Sequence, residues 1–109
     1  MARPSELSDQ IFVVKELRKA GIAFAAVPNG GRRDRREAAR LKASGVRPGV
    51  PDILIFDNPP KRPESHSAAL EMKREGSTPS AVSAPQREWL QRLEGCGWAT
   101  VVGNGAQDA

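Results

Sequence analysis

The sequence predicts an α/β sandwich, in which a small mixed central β-sheet is flanked by helices. Three observations predict this fold class. The chain opens with an amphipathic helical stretch, its middle holds short apolar runs of strand length, and a capped helical stretch precedes a last apolar run. Helices that alternate with strands in this way cover both faces of one sheet. At 109 residues we expect a single domain over residues 1–109.

Composition excludes several classes of protein. No run approaches the ~20 apolar residues of a membrane span, and no signal peptide opens the chain. Cys96 is the only cysteine, so no internal disulfide can form, and His66 has no partner at zinc-ligand spacing. We therefore expect a protein of the reducing cytoplasm without a membrane partner, and we expect His66 to be a surface residue.

The first helix is expected to run from Glu6 to Ala20, capped by Ser5 and ended by Gly21. Its apolar stripe is formed by four residues: Leu7, Ile11, Val14 and Leu17. Glu6 has two interpretations that the residues alone leave open. It either suits the positive end of the helix dipole or lends a third carboxylate to a metal site.

The strands and the remaining helices follow in order. The predicted strands are Ile22–Val27, Ile53–Phe56, Ala68–Lys73 and Trp98–Val102. Two helices lie between them, one over Arg36–Ser44 and one that starts after a capping box formed by Ser83 and Gln86. The stretch from Gly103 to Ala109 is typical of the approach to a further helix.

The stretch from Arg32 to Arg47 concentrates positive charge. It holds seven basic and two acidic residues, a net charge of +5 against +4 for the whole chain. The basic residues are Arg32, Arg33, Arg35, Arg36, Arg40, Lys42 and Arg47. A glycine-hinged loop and a short basic helix of this kind can follow a nucleic-acid phosphate backbone. The alternative is a solvated helix face, and Asn29 ahead of it is either a turn former or a contact at the rim of the site.

Two acidic residues and one lysine converge at the ends of the central strands. Asp52 opens one predicted strand, and Glu71 and Lys73 share one face of the next because strand side chains alternate. The two carboxylates and the backbone carbonyl of Met72 are hard oxygen ligands of the kind that suit Mg²⁺. Lys73 would then orient the attacking water or neutralise charge on a phosphate. The alternative for Glu71 and Lys73 is an exposed ion pair worth ~0–1 kcal/mol.

The order of these motifs resembles a known family. Pro51-Asp52 followed by Glu71-Met72-Lys73 is similar to the PD-(D/E)xK nuclease pattern. The surrounding segments narrow the resemblance to the virus-type replication-repair nuclease (VRR-NUC) family, in its short stand-alone form from phages and bacteria. Those segments are Ser5-Glu6, Pro28-Asn29-Gly30-Gly31, Ala39-Arg40-Leu41-Lys42, Gly45–Asp52, Leu70–Lys73 and Ser83–Leu90, and they span nearly the whole chain in order.

The resemblance implies a restriction-endonuclease-like fold and Mg²⁺- or Mn²⁺-dependent hydrolysis of DNA phosphodiesters. Stand-alone members resemble homodimeric Holliday-junction resolvases, and larger relatives carry the module in DNA repair enzymes that act on flaps and crosslinks. By position, Asp52 and Glu71 would be metal ligands and Lys73 the catalytic lysine. Glu6 would be the acidic residue of the first helix that completes the site. Gln86 would lie near the catalytic centre with its capping role retained.

The sequence therefore predicts a metal-dependent, structure-selective DNA endonuclease of a bacterial or phage-infected cell, acting as a homodimer on four-way junctions. Two alternatives stay open. One is a nuclease of the same fold that cuts flaps, splayed arms or single strands. The other is a nucleic-acid-binding module without catalysis. Clustered carboxylates facing a phosphate argue against the second alternative, because pure binding of a polyanion has no use for them.

Overall fold

A computed structural model describes residues 6–28, 34–58, 64–73 and 81–104, without the side chains of residues 6, 7 and 104. Its helices are α1 (Glu6–Lys19), α2 (Arg35–Ala43) and α3 (Ala84–Gly95). Its strands are β1 (Phe24–Ala26), β2 (Ile53–Ile55), β3 (Ser67–Lys73) and β4 (Trp98–Asn104). Within these residues no helix is long and apolar enough to cross a membrane. The predicted α/β class is confirmed.

The four strands of the described residues form one mixed sheet, in the order β1-β2-β3-β4. β1 and β2 pair antiparallel, as do β2 and β3, whereas β3 and β4 pair in parallel. Parallel neighbours need a crossover connection, and α3 supplies it between β3 and β4. β3 is therefore an inner strand, and nearly all of its residues are buried. The predicted mixed sheet with flanking helices is confirmed.

The alternation along β3 separates an apolar face from a charged face. Leu70 and Met72 join Val13 of α1 and Ile53 of β2 in the core. Glu71 and Lys73 lie on the opposite face, where both contact α3 through hydrogen bonds. Burying a side chain as fully as that of Ile53 stabilises a fold by about 1.5–3 kcal/mol. The core thus holds β3 between α1 and α3 with its charged residues on the α3 side.

The buried face of α1 agrees with the prediction in part. Val14 and Leu17 of the predicted stripe are half-buried against the core, whereas Ile11 is 48% exposed and Val13, outside the stripe, is buried. Ile11 lies about 200° around the helix axis from Val13, so the two side chains cannot face the sheet together. The side chain of Leu7 and the expected cap Ser5 lie outside the described residues.

The end of α1 explains why β1 is shorter than predicted. The Gly21 N–H donates to Arg18 O and the Ile22 N–H donates to Leu17 O, both at 3.1 Å. With Gly21 at a φ of 70°, these bonds form a Schellman motif. Because the Ile22 N–H is bonded to the helix, Ile22 is not part of the strand. The strand predicted over Ile22–Val27 is therefore shorter and consists of the three residues of β1.

α2 starts one residue earlier than predicted because Asp34 caps it. The Asp34 Oδ1 atom accepts a hydrogen bond of 2.8 Å from the Glu37 N–H. None of the residues of α2 is buried, so its cations all lie in solvent.

β4 continues two residues past its predicted end at Val102. It pairs along the whole length of β3, as far as Asn104 opposite Lys73, and the ladder carries the strand onward. Gly103, expected to lead away from the sheet, is a buried strand residue. The rest of the predicted approach to a further helix, residues 105–109, lies outside the described residues.

Candidate active site

The register of β2 on β3 brings Asp52 opposite Glu71. Ile53 pairs with Leu70, so the next position along the two antiparallel strands sets Asp52 against Glu71. Asp52 and Glu71 each lie one position from Ile53 and Leu70, whose side chains face the core. Because side chains alternate along a strand, those of Asp52 and Glu71 point to the α3 side of the sheet. The Asp52 Oδ2 atom accepts a hydrogen bond of 2.8 Å from the Met72 N–H. This bond fixes the carboxylate of Asp52 at the point where β2 begins.

Pro51 explains why the β2–β3 ladder stops at this point. The same register sets Pro51 opposite Met72. A proline has no N–H, so Pro51 cannot donate to the Met72 carbonyl as an ordinary strand residue would. The Met72 N–H donates to the side chain of Asp52 rather than to a backbone carbonyl of β2. The Pro-Asp dipeptide thus ends the ladder and brings the Asp52 carboxylate to the backbone of Met72.

Glu71 and Lys73 form a buried network with Gln86 rather than an exposed ion pair. The side chains of Glu71 and Lys73 are only 3% and 11% exposed, and Lys73 Nζ lies 3.7 Å from Glu71 Oε1. Gln86 Nε2 donates to Glu71 Oε1 at 2.9 Å, and Lys73 Nζ donates to Gln86 Oε1 at 2.9 Å. The alternative of an exposed pair is therefore wrong. One amide holds a buried carboxylate and a buried ammonium in a fixed arrangement.

The orientation of the Gln86 amide follows from its partners. An ammonium can only donate and an ionised carboxylate can only accept, so Oε1 must face Lys73 and Nε2 must face Glu71. Gln86 Oε1 also accepts from the Ser83 N–H at 2.9 Å, while Ser83 Oγ accepts from the Gln86 N–H at 3.3 Å. This is the predicted capping box of α3. Gln86 therefore both belongs to the cap at the start of α3 and contacts the charged pair.

Gly49, in the loop before Asp52, makes a close approach to the first turn of α3, which carries Gln86. A Cβ atom built on Gly49 would lie 2.6 Å from the Pro85 carbonyl carbon and 2.8 Å from the Gln86 backbone nitrogen. Gly49 also adopts a φ of 84°, which side chains rarely tolerate. The loop that leads into Asp52 is thus pressed against the helix turn that carries Gln86, and only glycine permits that contact.

Arg47 and Pro48 of the same loop hold the next turn of α3. Trp89 Nε1 donates to Pro48 O at 3.1 Å, and the Arg47 guanidinium carbon lies 5.0 Å from the centroid of the Trp89 ring. This distance is that of a cation–π contact. The sequence offers no signal for these contacts, because Pro48 lies 41 positions from Trp89 along the chain.

The donor set suits a hard divalent cation. Mg²⁺ takes oxygen ligands, keeps several waters, and is commonly bound through one or two carboxylates together with substrate phosphate. Asp52 and Glu71 supply two carboxylates on one face, and the Met72 carbonyl borders the same strand end. Among the described side chains no group of three His, Cys, Asp or Glu residues comes together. The side chain of Glu6, at the start of α1, lies outside that set, and its predicted part in the site stays a prediction.

The predicted nucleic-acid contacts are described in part. Asn29, Arg32 and Arg33 lie outside the described residues. The others, which are Arg35, Arg36, Arg40, Lys42 and Arg47, are all exposed. Another acidic residue was missed: Asp9 of α1 is 7% exposed, and within the described residues its Oδ2 atom has no hydrogen-bond partner. Its position four residues before the buried Val13 is the signal that could have placed it on the inner face.

The fold and the buried charged pair belong to an α/β domain whose class is shown by a family match. The model of one family, the VRR-NUC domain, matches residues 5–107, and the chain belongs to this family. A solved structure described as a VRR_NUC domain protein is similar to it, with a TM-score of 0.77 at 22% sequence identity, covering 98% of this chain and 83% of that one. That likeness shows a shared fold. No curated protein sequence matches the chain.

Proposed function

We propose that the protein is a metal-dependent, structure-selective DNA endonuclease, and that it resolves four-way junctions as a homodimer. The observation that carries the chemistry is the buried Glu71–Gln86–Lys73 network, with Glu71 opposite Asp52 at the start of β2. Removing a carboxylate and an ammonium from water costs free energy that their pairing only partly offsets, so such a buried pair is better explained by function than by stability. A module that only bound nucleic acid would need surface cations and would not need this arrangement.

The residues divide the work of hydrolysis between them. Asp52 and Glu71, with the Met72 carbonyl, would hold Mg²⁺ or Mn²⁺, which when bound polarises the phosphate and lowers the pKa of a water. Lys73 donates to Gln86 and approaches Glu71, and we propose that its ammonium neutralises the negative charge that develops on a bound phosphate. Gln86 makes one hydrogen bond to Glu71 and one to Lys73, and so fixes the distance between the two charged groups. Because these groups are fixed before substrate arrives, little reorganisation is needed during the reaction.

The exposed cations would hold DNA without reading its sequence. Arg35, Arg36, Arg40 and Lys42 lie along α2 with no buried member. Contacts from such side chains to phosphates position a duplex but carry no base information. Selectivity must then come from the shape of the DNA. A four-way junction has approximate two-fold symmetry, so paired incisions are simplest with two active sites related by a two-fold axis.

The test compares two matched substitutions. Purified protein is incubated with labelled four-way junction, flap, splayed-arm and linear duplex DNA, in Mg²⁺, in Mn²⁺ and in chelator. Glu71→Gln keeps the size of the side chain and an oxygen for Gln86, whereas Glu16→Gln makes the same change on the exposed surface of α1. We expect metal-dependent nicks in branched DNA, their loss in Glu71→Gln, and unchanged junction binding in chelator. Equal cleavage by the two variants, or no cleavage by the unaltered protein, would overturn the proposal.

The same chemistry on flaps, splayed arms or single strands is the second candidate. The contact between Arg47 and Trp89 favours it, because that pair offers a flat surface beside the site. Symmetric nicks confined to the junction, together with a dimeric mass in solution, would select the first candidate. Preferred cleavage of flaps by a monomer would select the second.

A further inference from the structure

We propose that Arg47 and Trp89 form a platform on which one unpaired nucleobase stacks, next to the cleavage site. This inference rests on the proposed nuclease function and names a feature of its substrate: a base free of its partner, as found in a flap, a splayed arm or an opened junction. The platform lies in a groove of about 690 Å³. Besides Arg47 and Trp89, the residues that line this groove include Pro48, Pro85, Glu88 and Arg92.

The platform is rigid at its base and open at its top. Trp89 is half-buried, and its indole N–H is bound to Pro48 O, so the ring cannot turn away. The Arg47 guanidinium lies over this ring, while the side chain as a whole is exposed. A guanidinium is planar and stacks on flat π-systems from either side. Trp89 contacts the guanidinium from one side, and because the Arg47 side chain is exposed, its other side is open to a nucleobase.

The charges around the platform suit nucleic acid. Arg47 and Arg92 outnumber Glu88 in the groove, which gives its lining a net positive charge. Arg47 and Pro48 also border a second groove, where Lys42 of α2 forms part of the wall. The platform is thus continuous with the basic surface of α2, so a strand whose phosphates lie along α2 can reach it. A phosphate attracted to Lys42 and a base stacked on Arg47 are the two halves of single-strand recognition.

The platform lies on the same helix as Gln86, which contacts the candidate catalytic groups. Trp89 follows Gln86 by three residues, about 4.5 Å along the axis of α3. Gln86 contacts Glu71 and Lys73, while Pro85, its neighbour, lines the groove. A base within a continuous duplex is stacked on both sides and cannot use the surface. Only an unpaired base has a free face, so the platform would favour cleavage near a branch over cleavage within a linear duplex.

The test measures binding in chelator, where no cleavage occurs. The probes are an oligothymidylate of about eight nucleotides and the same strand with abasic sites. Arg47→Lys keeps the charge and removes the planar group, and Arg18→Lys makes the same change on the exposed end of α1. Arg47→Lys removes the planar group on which the base stacks, so we expect it to weaken binding of the oligothymidylate about tenfold. Binding of the abasic strand should stay within about twofold, as should both probes with Arg18→Lys.

A fluorescent aminopurine in the strand reports stacking directly, and its emission should fall on binding to the unaltered protein and less with Arg47→Lys. Equal affinities for the two probes, equal binding by the two variants, unchanged emission, or no binding of the oligothymidylate would each overturn the platform. The outcome is separable from the proposed function. Base-dependent binding without any cleavage of branched DNA would leave the platform and remove the nuclease. Cleavage without base-dependent binding would leave the nuclease and remove the platform.

Discussion

Replacing Gly49 by alanine tests whether the loop before Asp52 sets the position of Gln86. The added Cβ would lie 2.6 Å from the Pro85 carbonyl carbon. Carbon atoms in contact are normally about 3.5–4.0 Å apart, so the loop and the start of α3 must separate by ~1 Å. Moving Gln86 by that amount would lengthen its bonds to Glu71 and Lys73, both 2.9 Å, beyond hydrogen-bond range.

Two effects of the substitution can be separated by a matched control. Alanine at a positive φ costs about 1–2 kcal/mol at any position, and Gly21 has a φ of 70° with no atom within 4 Å of a built Cβ. Gly21→Ala therefore carries the backbone strain without the clash. We expect Gly49→Ala to lose a further ~1–3 kcal/mol of unfolding free energy because its site is overpacked. Misplacement of ~1 Å at the catalytic groups should lower the cleavage rate by ~10²-fold.

The measurements are urea unfolding and single-turnover cleavage of branched DNA, made on both variants at a temperature where each is folded. A Gly49→Ala protein that unfolds and cleaves like Gly21→Ala would refute the argument. So would a Gly49→Ala protein with lower stability but an unchanged rate, because the displacement of Gln86 would then have no chemical consequence.

Three further predictions test the fold and the basic surface. Ser83→Ala removes the acceptor of the Gln86 N–H and should lower the unfolding free energy by about 1 kcal/mol in urea titrations. No change would mean that water replaces the lost Ser83 hydroxyl as the acceptor. Ile53→Ala should cost about 2–5 kcal/mol, and Ile11→Ala, at an exposed site, less than about 0.5 kcal/mol; similar costs would contradict the assigned core. Arg36→Ala combined with Arg40→Ala should reduce the slope of log affinity against log salt by about 2 for duplex DNA, and an unchanged slope would remove α2 from the interface.

Much of the fold was predictable because its signals are local. The alternation of Leu70, Glu71, Met72 and Lys73 is a property of four consecutive residues, and it assigned the core face and the charged face correctly. The stop at Gly21 and the capping box of Ser83 are local in the same sense. Ile11 of α1, predicted to be buried but exposed, shows the limit. Several apolar side chains surround that helix, and only its packing against the sheet selects Val13 over Ile11.

The candidate site was predictable in its residue types but not in its connections. The resemblance indicated Asp52, Glu71, Lys73 and Gln86 by position, yet the sequence alone left an exposed ion pair open as an alternative. The structure excludes it by burying Glu71 and Lys73 and by inserting the Gln86 amide between them. That amide is 15 positions from Glu71 along the chain, and such contacts depend on how a crossover helix returns over the sheet.

The sequence by itself determined which residues alternate on β3, that α1 stops at Gly21 and α3 starts at the Ser83 cap, and that Pro51 offers no N–H to the ladder. Each of these follows from the stereochemistry of neighbouring residues. Only the tertiary structure decided that Gly49 touches the turn of Gln86 and that Trp89 meets Pro48, 41 positions away. These contacts require the loop before β2 and the start of α3 to pack together, which no local pattern specifies.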